Sequence, residues 1–348
     1  MIATSAFAEE VRVYNWSDYI DEELLTKFEE ETGIKLIYDV FDSNEVLETK
    51  MLAGGSGYDV VVPTADFLQR QVVAGAFQKL DLSQLPNHEN MWDVVEQRTA
   101  QYDPDNAYSI NYMWGTTGVG VNAAKVKEVL GEDVALNSLE LVLNPANMEK
   151  LAACGVYFLD APTEIIPMTL KYLGEDPDSS DPETIAKTEA PLMAVRPYIQ
   201  KFHSSEYINA LANGDICVAV GWSGDILQAR DRAAEADNGV EIEYNAFSEG
   251  SLMWFDQMAI PVDAPHPEAA HKFLNFIMDA QNMAAASNYV YYANGNKASQ
   301  EFLVEDVIGD TAIYPDEETV AKLYTKSPYN SKLQRVVTRL WTKVKSGT

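Results

Sequence analysis

The sequence predicts an α/β fold with a mostly parallel sheet, on enough chain for roughly two domains, and three observations carry that prediction. Strand-like and helix-like runs alternate as β-α-β-α-β from residue 11 to residue 63. The run YDVVVP at 58–63 is a continuous apolar strand of the kind a sheet covered by helices requires. With 348 residues, of which 47% are hydrophobic, the chain can bury sizeable cores.

The elements follow in order. Residues 11–14 read as a strand, and 21–31 as an amphipathic helix with Leu24, Leu25 and Phe28 on one face and Gly33 to end it. Residues 34–41 alternate as a strand, 43–53 are helical, and the Gly54-Gly55-Ser56-Gly57 loop leads into the strand at 58–63. That loop precedes a strand instead of opening a helix and lacks GK[ST], so it is a connecting turn and no phosphate cradle. Residues 67–74 are expected to be helical, 80–86 irregular and 103–106 a turn without the ligands of a calcium loop. The Gly-punctuated β run at 113–122 suits a strand that carries the chain from one domain to the other. Beyond it come a helix at 124–130, a strand at 156–159, a strand-to-helix turn at 160–164, a helix at 206–214 and a strand at 216–220. A helix at 226–237, strands at 239–244 and 251–261, and helices at 271–280 and 319–345 complete the chain. No internal repeat or low-complexity linker appears, so domain boundaries are expected at strand crossovers.

The net charge of −29, from 25 basic and 54 acidic residues, argues against nucleic acid or an anionic membrane as partner, because both attract positive surfaces. No run of about 18 apolar residues is present, so no membrane span is expected. The opening residues, 1–8, end in Ala6-Phe7-Ala8 and resemble the tail of a secretory signal, with Glu9 near the mature start. In an exported chain the even pair Cys154 and Cys217 points to a disulfide, with two buried thiols as the alternative. Neither cysteine has the spacing of a metal or redox motif, and the four histidines match no metal pattern.

Three aromatic and acidic clusters stand out: Trp16-Ser17-Asp18-Tyr19, Trp222-Ser223-Gly224-Asp225 and Trp254-Phe255-Asp256. A ring face beside a carboxylate is a receptor for an organic cation, since the ring quadrupole attracts positive charge and the carboxylate pairs with it. The first two clusters directly follow strands, as does Thr64 after Pro63, and open α/β sheets bind ligands beyond their strand ends. Taken singly, each Trp also suits a core and each Asp a turn or cap; Asp160 and Glu164 equally suit a helix start. Gly221-Trp222-Ser223-Gly224 falls one residue short of a nucleophile elbow, so catalysis by a serine is not expected. A secreted hydrolase using paired carboxylates remains as the enzymatic alternative.

Longer runs add to this. VYNWSDYI at 13–20, YDVFDSNE at 38–45, YDVVVP at 58–63, CGV at 154–156, FLDAP at 158–162, FHSS at 202–205, ANGDIC at 212–217 and WTKVKSG at 341–347 closely resemble the periplasmic putrescine/spermidine-binding proteins of bacterial polyamine ABC transporters. The resemblance spans essentially the whole mature chain. It implies a two-lobed type II periplasmic binding fold, with a mostly parallel sheet in each lobe, a ligand cleft between lobes and a strand-crossover hinge. Lobe 1 is expected over 9–112 with 250–281, and lobe 2 over 113–249 with 282–348. It also implies a monomeric, non-enzymatic protein in the periplasm of a Gram-negative bacterium, without metal or cofactor, which passes a polyamine to the permease subunits.

By the same resemblance the ligands fall on Trp16, Ser17, Asp18, Thr64, Glu164, Trp222, Asp225, Trp254, Asp256 and Tyr292, to which the residues themselves add Tyr19 of the first cluster and Asp66, and Cys154 and Cys217 fall where putrescine-binding relatives form a disulfide. Trp254 stands where spermidine-preferring relatives carry Trp and putrescine-preferring ones Phe. Ala161 lacks an acid found in some spermidine binders, while Asp66 supplies a charge nearby and Lys326 lies near an expected polar contact. The balance leans toward spermidine. A protein of this fold for another cationic solute is the alternative; a cationic amino acid would call for an Arg beside the clusters, and none has one.

Overall fold

The computed structural model describes residues 9–348, and the expected signal remnant at 1–8 lies outside the described residues. Ten strands occur among the described residues: β1 Glu10–Trp16, β2 Lys35–Phe41, β3 Val60–Val61, β4 Ser109–Asn122, β5 Val156–Phe158, β6 Lys201–Phe202, β7 Val218–Trp222, β8 Ile242–Asn245, β9 Met253–Ala259 and β10 Ala293–Asn294. The chain divides into two compact units. The first holds the described residues up to Trp114 together with Phe255–Ile308, and the second holds Gly115–Trp254 with Gly309–Thr348. No helix among the described residues is long and apolar enough to cross a membrane.

In the first unit β1 pairs in parallel with β2 over seven residues and with β3 on its other side. Val11 and Val13 are fully buried, because the alternation of β1 turns them toward the core. The helix Glu22–Thr32 starts where the Asp21 carboxylate accepts the Glu23 N–H and stops at Gly33, whose φ of 69° a residue with a Cβ rarely adopts. Its Phe28 packs edge-on against Phe273 and Phe276 of the helix Pro267–Ile277. Two antiparallel pairings complete the unit, β3 with β9 at Val61 and Ala259, and β10 with the start of β4 at Met113 and Trp114.

In the second unit β7, β5 and β6 are parallel, while β4 runs antiparallel to β7 and to β8. The sheets are therefore mixed: each has a parallel trio, and the antiparallel members include the strands in which the chain passes from one unit to the other. Cys154 and Cys217 form a disulfide that ties the approach to β5 to the approach to β7, which settles the choice between a bridge and two thiols.

The domain expectation needs correction. Residues 282–308, expected in lobe 2, belong to the first unit. The helix Ala280–Val290 sits there because Lys27 Nζ donates to Asn282 Oδ1 at 2.6 Å and Asn282 Nδ2 donates to the Phe276 carbonyl, while β10 adds to β4. Residues 250–254, expected in lobe 1, belong to the second unit, since Leu252 bridges Tyr324 and its carbonyl accepts the Thr117 N–H. Residues 113 and 114 likewise fall in the first unit. The helix expected over 319–345 is two helices, Glu317–Val320 and Ser331–Ser346, because Pro328 interrupts the run and Asn330 caps the second.

Candidate functional site

The expected residues fall into two sets, one in each unit. In the first, Trp16 closes β1 with its indole N–H donating to the Val62 carbonyl at 2.9 Å and its ring against Phe41 at 4.6 Å. Ser17 follows half-buried, and its N–H donates to the Phe41 carbonyl. Asp18 is exposed on left-handed backbone at φ 54°, a conformation that Asp tolerates and that turns the chain so that Tyr19 points back into the core.

Tyr19 is the hinge pin of this set. Its hydroxyl donates to Asp256 Oδ2 at 2.8 Å, and its ring meets Tyr292 and Tyr112 edge-on at 5.2 and 5.4 Å. Tyr112 in turn donates its hydroxyl to the Tyr19 carbonyl. Thr64 donates to the other oxygen of Asp256, Oδ1, at 2.7 Å, and Asn44 holds Thr64 by its backbone N–H and its hydroxyl. This engagement explains why Thr64, the residue before the helix Ala65–Val73, makes no side-chain cap of its own. Asp66 is buried in the first turn of that helix, where the positive end of the helix dipole favours a carboxylate. Tyr292 follows Tyr291, whose left-handed φ of 58° ends the helix Ala280–Val290.

In the second unit Glu164 lies in the first turn of the helix Pro162–Tyr172 and accepts the Thr117 hydroxyl of β4. Asp160 is no cap: it accepts the Trp341 indole N–H and pairs with Lys345. The cluster Trp222-Ser223-Gly224-Asp225 is the junction at which β7 passes into the helix Ser223–Ala236. Asp225 Oδ2 accepts the Tyr207 hydroxyl at 2.7 Å, and the same hydroxyl accepts the Trp222 N–H at 3.1 Å. Trp254 ends this unit's share of β9 with its ring on Gly115, where a Cβ would come within 2.8 Å of the indole. Lys326 is buried, with its ammonium 5.3 Å above the Tyr329 ring.

Glu164, Asp225 and Asp256 are each less than a tenth exposed, and each accepts at least one hydroxyl. A hydroxyl donor orients a buried carboxylate without bringing a formal charge of its own. Burial raises the Tyr112 and Tyr207 hydroxyls well above the ordinary tyrosine range, so both remain donors. The negative charge of Glu164 also reaches the hydroxyls of Tyr207, Tyr244 and Tyr324, each raised mainly by burial.

Sequence reasoning missed Tyr207, Thr117 and Asn44. Nothing in their local patterns marks them, since each lies in an ordinary element and acts through a partner that is distant in sequence. The glycines opposite carried the available signal: a Cβ on Gly221 would meet the Tyr207 ring at 2.6 Å, as one on Gly115 would meet Trp254. Among the described residues no cluster of three or more His, Cys, Asp or Glu is arranged to hold a metal ion.

Comparison with known proteins places these observations in a context. The pattern of the bacterial extracellular solute-binding proteins matches residues 23–315. The chain is 50% identical over 339 residues to the putrescine-binding periplasmic protein PotF of Escherichia coli (strain K12), covering 97% of this chain and 91% of that one. It is 50% identical over 346 residues to the putrescine-binding periplasmic protein SpuD of Pseudomonas aeruginosa (strain UCBPP-PA14), covering 99% and 94%. Among solved structures, a putative spermidine/putrescine ABC transporter protein from Listeria monocytogenes superposes with a TM-score of 0.86 at 30% identity, over 97% of this chain and 99% of that one.

Proposed function

The chain belongs to the bacterial extracellular solute-binding proteins, with the two-lobed type II fold, and from that premise we propose that it captures a polyamine in the periplasm and delivers it to the permease of an ABC transporter. The observation that carries this reading is the arrangement, repeated in each unit, of a buried carboxylate held by a tyrosine hydroxyl, Asp256 by Tyr19 and Asp225 by Tyr207. At neutral pH the amines of a polyamine are protonated, and each ammonium matches such a carboxylate. The methylenes between them match the faces of Trp16, Trp222, Trp254 and Tyr292. Asp18, Asp66, Glu164, Asp225 and Asp256 supply the charge, and Ser17, Thr64 and Tyr19 the polar frame.

A cation–π contact contributes ~0.5–2 kcal/mol and a charge-assisted hydrogen bond ~1.5–3 kcal/mol before desolvation, so a few of each suffice for micromolar binding. Binding makes and breaks no covalent bond. Between ligands, putrescine is the favoured one: both relatives at 50% identity are named for putrescine alone, which outweighs the lean toward spermidine drawn from Trp254.

Isothermal calorimetry with putrescine, cadaverine, spermidine and spermine tests both levels of the reading. The expected result is tightest binding of putrescine. Spermidine as the tightest ligand overturns the choice of chain length, and absence of heat with all four overturns the function.

A further inference from the structure

We infer that Tyr207 is a positioning residue for cation capture: one buried hydroxyl sets both the carboxylate of Asp225 and the backbone that carries Trp222. The inference rests on the proposed polyamine reading and deepens it, since it concerns a residue outside the expected ligand set. The hydroxyl donates its proton to Asp225 Oδ2 at 2.7 Å and accepts the Trp222 N–H at 3.1 Å. Because an N–H occupies its acceptor side, the hydroxyl proton is committed to the carboxylate, and the direction of both bonds is fixed. Tyr207 itself is fully buried, on the helix Tyr207–Ala212, which packs against the helix Ser223–Ala236 that carries Asp225. Gly221 closes the arrangement: a Cβ there would lie 2.6 Å from the Tyr207 ring, so β7 runs directly against the ring face and leaves it one position.

Two consequences follow. The aromatic wall and the charge cannot drift independently, because one atom holds both, and pre-organised groups lose less entropy when a ligand arrives. Burial also raises the Tyr207 hydroxyl well above the ordinary tyrosine range, which keeps the donor protonated.

Calorimetry with putrescine on four proteins tests this: wild type, Tyr207→Phe, Asp225→Asn and the double variant. Tyr207→Phe is expected to weaken binding by roughly tenfold, the scale of one hydrogen bond to a charged group. In the Asp225→Asn background the same change is expected to cost less than about twofold, because the carboxylate it serves is gone. A residue that merely supported the fold would weaken binding equally in both backgrounds, and that outcome, like an unchanged affinity for Tyr207→Phe, overturns the inference. Wild type without heat overturns the polyamine reading and this inference together, whereas additive losses in proteins that bind overturn only the latter. Should Tyr207→Phe fail to melt cooperatively, Gly221→Ala is the second probe. Its Cβ displaces the ring, and its loss is expected to shrink in the Asp225→Asn background; additive losses there overturn the inference as well.

Discussion

The two units hold their buried carboxylates in different ways. In the first, the carboxylate of Asp256 receives two hydroxyls, from Tyr19 and Thr64, one on each oxygen. In the second, two carboxylates share the work: Glu164 receives the hydroxyl of Thr117 and Asp225 that of Tyr207. Neutral donors orient a carboxylate without neutralising it, but each one also takes up accepting capacity that an ammonium would use. Among the described bonds, Asp256 is held at both oxygens, while Glu164 and Asp225 are each held at one. The disulfide lies in the second unit, where it ties the approach to β5 to the approach to β7.

The comparison is most directly broken by neutralising the second unit. Glu164→Gln with Asp225→Asn is expected to weaken putrescine binding by about 10²–10⁴, from two charge-assisted bonds of ~1.5–3 kcal/mol each, and calorimetry measures it. A loss below about tenfold would move the ligand's charge partners to the first unit. Asp256→Asn is the matching change there. It is expected to cost binding less than the double variant and stability more than either single change in the second unit. An amide has one acceptor oxygen where two buried hydroxyls need one each, and a stranded buried donor costs ~1–3 kcal/mol. Thermal melting beside calorimetry separates the two effects, and a variant with unchanged melting would show that the hydroxyl pair is not structural.

The smallest effect on binding is expected from Cys154→Ala with Cys217→Ala. The bridge spans 63 residues of sequence, a loop whose closure is worth ~4 kcal/mol in the chain-entropy account. Its loss should lower the melting transition while leaving putrescine affinity within about threefold, because binding reports on folded protein only. A large affinity loss in folded protein would instead tie the bridge to the geometry of Trp222 and Asp225, which follow Cys217 at the end of β7 and in the first turn of the next helix.

Much of this was legible in advance where a signal is local. The helix Glu22–Thr32 announced itself through Asp21, Leu24, Phe28 and Gly33, because capping and periodicity act within a few residues. The clusters at Trp16, Trp222 and Trp254 drew notice because an aromatic beside an acid is an unusual neighbour pair. The boundary of the first unit was not legible. Residues 282–308 join it through Lys27, Asn282 and the pairing of β10 with β4, contacts between positions up to 255 apart that leave no trace in local pattern.

By itself the sequence determined the α/β class, the acidic composition and the cysteine pair, since composition and short-range spacing carry all of these. Only the tertiary structure decided how the acids are held. Tyr19 and Asp256 are 237 residues apart and Tyr207 and Asp225 are 18 apart, yet each pair closes on one hydrogen bond. A hydroxyl finds its carboxylate only when strands and helices have packed, and packing is a property of the whole unit rather than of any stretch within it.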